Sequence, residues 1–432
     1  MLKLTTHFVL GELGDHRPYG TALDGGFHLE DSGERLWAVP LVVAGGAFVS
    51  AALVRWFAPD AAGHGTDAAI DAAHRQPLGI RGRVAVVKMA ASAVTIGSGG
   101  SGGTEGPAAQ ISASFGSVVA RRAGLTPQEA RTAVTVGLAA GVGAIFRAPL
   151  GGAILGAEML YRRDADPSVV AKTLPAALVG YGVFGLFFGY GPILGAHHAD
   201  AVGGPVGVVL IAAIGLACGV TGRLYAAVFY AVHERVEAAA RTTARKLLFP
   251  ALAGLVVGVV GLFVPGVLGT GYGLMQAVMD RDVLLGLSLW TVLLLAPAKL
   301  AGTALSIGSG GSGGIFGPGL VIGAGVGAAV WRIAEDTGHA PDDPTVFIVV
   351  GMAACLGPIV RAPISVLVMA AETVGNASLL APGALGVVCA VWVVGGVTIY
   401  RSQPDKRTDV KSPLVAAATT SEADPADTAG RP

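Results

Sequence analysis

The sequence predicts an all-α polytopic membrane protein made of two homologous halves. Three observations carry this. The 432 residues are 53% apolar and only 13% charged, with a mean hydropathy of +0.65, about half the charge that covers a soluble domain. Apolar stretches approach the roughly 20 residues needed to cross a bilayer. Glycine-rich phrases in the first half recur in the second, in the same order.

Composition excludes other classes. The 66 glycines show no three-residue period, so the chain is not collagen-like. Too little of it is polar for general disorder. A net charge of zero gives no basis for nucleic-acid binding. Cys218, Cys355 and Cys389 lie far apart in apolar runs, without a CxxC pair or metal spacing, and read as small buried residues. No HExxH, GxSxG or cluster of metal ligands is present, so neither an enzyme nor a cofactor is expected.

The elements follow in order. Residues 1–35 form an N-terminal segment with scattered charges and no signal-peptide core. Spans are predicted at Leu36–Phe57, Val169–Gly189, Val206–Val232, Leu247–Val264, Val283–Leu305 and Pro382–Tyr400. Between them lie segments too short or too glycine-rich for a simple span: Val84–Ile96, Pro107–Val119, Thr132–Ile145, Pro149–Leu160, Pro318–Ile333, Thr345–Leu356 and Pro363–Thr373. Broken segments are tolerated at membrane depth where they line a cavity or are buried in protein. Residues 401–432 read as a polar, disordered tail. Arg401, Lys406, Arg407 and Lys411 follow the last apolar run and place the C-terminus in the cytoplasm.

The repeat is specific. GSGGSGGTEGP at 97–107 returns as GSGGSGGIFGP at 308–318, an offset of 211. VGLAAGVGAIFRAP at 136–149 returns as VGMAACLGPIVRAP at 350–363, an offset of 214 that also carries Glu158 onto Glu372. A weaker pair, GHGTDAAI from Gly63 and GYGLMQAV from Gly271, has an offset of 208. Two halves are read, about 36–200 and 204–400.

Both glycine loops contain GxGxxG, but no strand, soluble helix or GK[ST] accompanies them, so dinucleotide and phosphate loops are rejected. Proline favours the first helical position, so Pro107 and Pro318 each start a helix. The residues around them leave backbone N–H groups unpaired, and glycine lets another group approach closely. A helix N-terminus carries roughly half a positive charge. Two such ends meeting at a repeat interface make an anion site of backbone amides, expected at Thr104, Gly106, Gly314, Ile315, Phe316 and Gly317. Glu105 sits at one end, with Phe316 as its counterpart. An intramembrane carboxylate is functional by default. Here it competes with the anion for the same amides, which makes Glu105 a candidate gate and proton acceptor; a helix cap is the plainer reading.

These residues resemble the CLC family of chloride channels and chloride/proton antiporters. GGTEGPAAQ at Gly102–Gln110 looks like the family's gating-glutamate motif, and GGIFGP at Gly313–Pro318 like its GxFxP motif. GHGTD at Gly63–Asp67 takes the place of its GSGIP motif. The resemblance, over about residues 36–403, implies an inverted repeat of tilted, partly non-spanning helices and a homodimer with one anion pathway per subunit. It implies a prokaryotic-type chain in the plasma (inner) membrane, without CBS domains, and an N-terminus short for the family.

The departures shape the functional expectation. The family's anion-contacting serine falls on His64 and its proline on Asp67. Alignment of Glu372–Pro382 puts the family's anion-contacting tyrosine at Ala377. The inner proton-accepting glutamate of antiporters falls on Met159, beside Glu158 at a commonly acidic position. His64 reads either as a contact to the anion or as a loop histidine bonded to its neighbours. Asp67 reads as a cap for the following helix. Arg147 and Arg361 precede helix-starting Pro149 and Pro363, 11 residues before Glu158 and Glu372. Lys88 and Lys299 either raise the local potential for anions or snorkel to the interface. The expectation is a channel-like pathway for chloride or another small anion, gated by Glu105. The alternatives are a proton-coupled chloride or fluoride antiporter and an unrelated transporter of a larger anion.

Overall fold

The computed structural model describes residues 1–17, 31–32, 35–197, 204–264 and 266–409. Its helices, in order, are α1 (Leu2–Thr5), α2 (Ala38–Phe57), α3 (Thr66–Arg75), α4 (Gly82–Gly97), α5 (Glu105–Arg122), α6 (Pro127–Ile145), α7 (Pro149–Glu158), α8 (Val170–Phe188) and α9 (Gly204–Ala239). They continue as α10 (Thr243–Gly261), α11 (Tyr272–Ala277), α12 (Arg281–Gly286), α13 (Leu289–Gly308), α14 (Phe316–Asp336), α15 (Thr345–Val360), α16 (Pro363–Val374) and α17 (Leu380–Val394). Two-residue strands β1 (His16–Arg17) and β2 (Asp31–Ser32) pair antiparallel.

Local chemistry sets the boundaries. Thr126 and Glu129 form a reciprocal capping box before α6, with Pro127 in its first turn. Pro149 and Pro363 open α7 and α16, as the sequence predicts. α5 and α14, however, open two residues ahead of Pro107 and Pro318, at Glu105 and Phe316. The first helical N–H groups have no intrahelical partner, so proline is harmless at the third position too.

Seven helices among the described residues are long and apolar enough to span: α2, α9, α10, α13 and α14, and α8 and α17 with their leading turns. Two spans differ from the sequence reading. Pro318–Ile333 belongs to the 21-residue α14 rather than to a broken segment. Val283–Leu305 divides into α12 and α13, because the Ser288 hydroxyl accepts the Thr291 N–H and starts a new helix. Helices α14 and α15 are the most buried pair. They cross at Gly323 and Gly351, where a Cβ on either residue would collide with the other's carbonyl.

The ends are more ordered than their composition suggests. Leu2–Thr5 and the π-helical stretch Thr6–Leu13 pack Leu10 against Val39, Val43, Val257, Val267 and Leu268. At the other end, residues 401–409 are structured. Arg407 pairs with Asp164 and Asp166, and Gln403 donates to the Met159 and Val360 carbonyls. Residues 410–432, the rest of the expected tail, lie outside the described residues.

The two halves meet about a pseudo-two-fold axis at the glycine loops. Gly103 and Gly314 exchange both backbone hydrogen bonds, at 2.8 and 2.6 Å. On either side, Gly313 N–H donates to the Gly63 carbonyl and Gly102 N–H to the Gly269 carbonyl. Gly63 and Gly269 are 206 residues apart, so the weakest repeat has an offset of 206 rather than 208. The counterpart of Tyr272 is therefore Thr66, and the counterpart of His64 is Thr270.

Candidate functional site

Neither buried lysine snorkels. Lys88 is wholly buried and donates to the Ala61 and Gly63 carbonyls at 3.1 and 2.6 Å. Lys299, also wholly buried, donates to the Val267 and Gly269 carbonyls at 3.1 and 2.9 Å. A buried ammonium needs such acceptors. Each lysine thus fixes the loop that leads into α3 or α11, and sets an amine donor beside the paired helix ends.

At those ends Glu105 reaches across into the second half. Its Oε2 accepts the Gly317 N–H at 3.1 Å. Its Oε1 accepts from the Thr104 hydroxyl at 2.7 Å and from the Tyr272 hydroxyl. The side chain is 1% exposed. One carboxylate oxygen therefore fills an amide position of the expected anion site. The Gly314 amide is committed to Gly103, so it leaves the predicted set. The Ile315 and Phe316 amides donate to no protein group among the described residues, and the Ile315 carbonyl accepts the Tyr225 hydroxyl at 2.9 Å. Gly106 stands in the corresponding place on α5, beside the Thr66 hydroxyl as Gly317 stands beside that of Tyr272.

A second group of side chains closes the site on the other side. The His64 ring lies 5.6 Å from that of Tyr400 and 5.8 Å from that of Phe229. His64 Nδ1 accepts the Asp67 N–H at 3.5 Å, so the neutral ring carries its proton on Nε2. The loop hydrogen bond of one sequence reading is thus present, and Nε2 is left as a donor. The Tyr400 hydroxyl is buried and makes no hydrogen bond of good geometry, the Thr66 side chain being its polar neighbour. An orphaned buried donor asks for a ligand.

Two expectations are corrected here. Ala377 opens a short 3-10 turn that lines a separate cavity with Arg147 and Tyr190; the tyrosine beside His64 is Tyr400. The sequence missed it because it follows a glycine break after α17. Asp67 does not cap α3, whose N-cap is Gly65; its carboxylate accepts the Ser402 N–H and hydroxyl at 2.9 and 3.0 Å. That clasp fixes the chain two residues past Tyr400. Glu158, the expected inner acidic position, is bound to backbone. It accepts the Ile364 and Ser365 N–H groups at 3.3 and 2.8 Å, beside a fully packed Met159.

A family model described as voltage gated chloride channel matches residues 46–395. A ClcB-like chloride channel protein of Ralstonia nicotianae is 33% identical over 298 residues, 67% of each chain. An H(+)/Cl(−) exchange transporter, ClcA, of Salmonella paratyphi A is 29% identical over 377 residues, covering 84% of this chain and 78% of the relative. A slow cyanobacterial Cl−/H+ antiporter shares the fold at a TM-score of 0.77 and 21% identity, over 98% of this chain and 94% of its own.

Proposed function

The chain belongs to the voltage-gated chloride channel family and is a membrane anion transporter of that kind; from that premise we propose that it exchanges chloride for protons through a pathway opened and closed by Glu105. The observation that carries this is the Glu105 carboxylate on the Gly317 amide. An anion that takes that amide must first displace a negative charge. Protonation weakens the carboxylate's hold, so proton uptake and anion entry are coupled at one place.

The anion would be held by the N–H groups of Ile315 and Phe316 and by His64 Nε2 and the Tyr400 hydroxyl. These donors suit a small ion whose charge needs no geometric match, and Lys88 and Lys299 raise its local concentration. The exchanger reading is preferred to the channel expected from Met159 because relatives covering most of this chain are named H(+)/Cl(−) exchange transporters. Inner protons then reach Glu105 by a route that does not use position 159. Channel-like conduction remains the second reading, favoured by the buried Met159. A homodimer in the plasma membrane, with the C-terminus in the cytoplasm, completes the proposal.

The test is flux from liposomes that hold the purified protein, with chloride and external pH followed together. A chloride gradient should drive protons uphill at a fixed ratio. Glu105→Gln should abolish proton movement and flatten the pH dependence of chloride flux. Rapid chloride release with no linked protons would replace the exchanger by a channel, and preference for fluoride would change the ion.

A further inference from the structure

Of the three groups that hold the Glu105 carboxylate, only two belong to the other half of the molecule. Thr104 is the adjacent residue and moves with the gate. The Gly317 amide is the position an anion would take. Tyr272 is different. It lies 167 residues from Glu105 on the first turn of α11, and its hydroxyl donates to Oε1. Its backbone is anchored, because Lys299 holds the carbonyls of Val267 and Gly269 just ahead of it. Its ring is 9% exposed and lies 6.4 Å from that of Phe146, which in turn lies 5.5 Å from that of Phe316. The hydroxyl is thus delivered by a fixed arm to one oxygen of the proposed gate.

The pseudo-symmetry sharpens this. Thr66, the counterpart of Tyr272, stands beside Gly106 as Tyr272 stands beside Gly317. The counterpart of Glu105 is Phe316, so Thr66 has no carboxylate to hold. Only the half that carries a gate carries a side chain long enough to reach one.

We propose that Tyr272 is the latch of this gate: its hydroxyl holds the Glu105 carboxylate on the Gly317 amide and sets how readily the pathway opens at neutral pH. The inference rests on the reading of Glu105 as the gate. A hydrogen bond donated to a carboxylate favours its ionised, closed form. The other ionisable groups around Glu105 keep their own partners: Lys299 on its two carbonyls and Tyr225 on the Ile315 carbonyl, with Tyr400 farther along the path. They are unchanged in the test.

Tyr272→Phe removes one oxygen and keeps the ring on Phe146, so the protein should fold. Chloride flux from liposomes is measured between pH 4 and 8 for wild type, Tyr272→Phe, Glu105→Gln and the double variant. Loss of one charge-assisted hydrogen bond should raise flux at pH 7 about tenfold and move the half-maximal pH up by about one unit. With Glu105→Gln in place, Tyr272→Phe should change nothing more. An unchanged profile in Tyr272→Phe, alongside a flattened one in Glu105→Gln, overturns the latch and leaves the gate standing. A wild-type profile in Glu105→Gln removes both. A further rise in flux in the double variant also overturns the latch, because the tyrosine would then act without the carboxylate. If Tyr272→Phe does not give monodisperse protein, Tyr272→Leu carries the same test: a smaller apolar side chain with no donor for the carboxylate.

Discussion

Glu158 and Glu372 cap each other's helices. Glu158 ends α7 and accepts the Ile364 and Ser365 N–H groups at the start of α16. Glu372 lies near the end of α16 and accepts the Leu150 and Gly151 N–H groups at the start of α7, at 3.1 and 2.8 Å. Each carboxylate meets a helix N-terminus, where negative charge is stabilised. The exchange locks the two halves together at α7 and α16. Each helix is preceded by an arginine in the left-handed region, Arg147 at φ 51° and Arg361 at φ 62°. Arg147 is held there by its own hydrogen bonds to the Gly191 and Phe188 carbonyls.

Because both carboxylates are spent on amides, their loss should act on stability and not on proton coupling. Glu158→Gln and Glu372→Gln each keep the side-chain shape but lose the charge and one acceptor. Each is expected to cost about 1–2 kcal/mol, read as a lower thermal midpoint in detergent. The pH profile of flux should keep its wild-type shape. A Glu158→Gln protein of normal stability that has lost proton coupling would instead restore Glu158 as the inner acid.

Lys88→Met and Lys299→Met separate electrostatics from packing. Each change removes two hydrogen bonds but also the desolvation of a buried charge, terms that often cancel to within a few kcal/mol. The folded protein should therefore survive. The anion pathway loses a nearby cationic group, so chloride flux should fall, and because the group is wholly buried the loss should persist at high ionic strength. Undiminished flux in both variants would make the lysines purely structural ties.

How much of this was legible in the sequence follows from the range of each interaction. The helix starts at Glu105, Phe316, Pro149 and Pro363 depend on glycine and proline within a few residues, and the repeat places them in pairs. The proposed gate was legible because Glu105 is an acid at such a start. The proposed latch was not: Tyr272 meets Glu105 across the pseudo-two-fold axis, in the weakest of the three repeats, whose offset of 206 is the shortest. Tyr400 was hidden for a similar reason. It follows a break after α17, and contacts far along the chain, such as the Asp67 clasp on Ser402 335 residues away and the Ile399 N–H on the Ile359 carbonyl, set it beside His64. Sequence periodicity describes a helix face, but not which face of the other half it meets.

The ordered part of the C-terminal segment depends on surface charge. The Arg407 guanidinium and N–H, both bonded to Asp164, hold its carboxyl below the ordinary carboxylate value. A carboxyl whose folded value is depressed stabilises the fold above its unfolded value, and that contribution is lost as pH falls through the folded one. The clasp should therefore persist at neutral pH and release only below the ordinary carboxylate range. Asp164→Asn should release it at pH 7.5. Trypsin should then cut after Lys406 or Arg407 faster in the variant than in wild type, with 1 M salt narrowing the difference because the pair is exposed. Equal cleavage rates would mean that the Arg407–Asp166 pair and the Gln403 and Ser402 contacts hold the segment without Asp164.

Tyr400 offers the sharpest check on the anion site itself. Its hydroxyl is buried without a protein hydrogen bond of good geometry, and an unsatisfied buried donor costs about 1–3 kcal/mol. Tyr400→Phe removes that cost along with the oxygen. In chloride-free buffer the variant should melt at the same temperature as wild type or higher. Chloride that binds only the folded protein stabilises it in proportion to affinity. Wild type should therefore gain stability as chloride is added. The variant should need roughly tenfold or more chloride for the same gain, since a hydrogen bond to a charged group is worth about 1.5–3 kcal/mol. The order of the two proteins would thus reverse between chloride-free and chloride-rich buffer. A Tyr400→Phe protein that responds to chloride as wild type does would move the anion away from His64 and Tyr400, onto the amides of Ile315 and Phe316 alone.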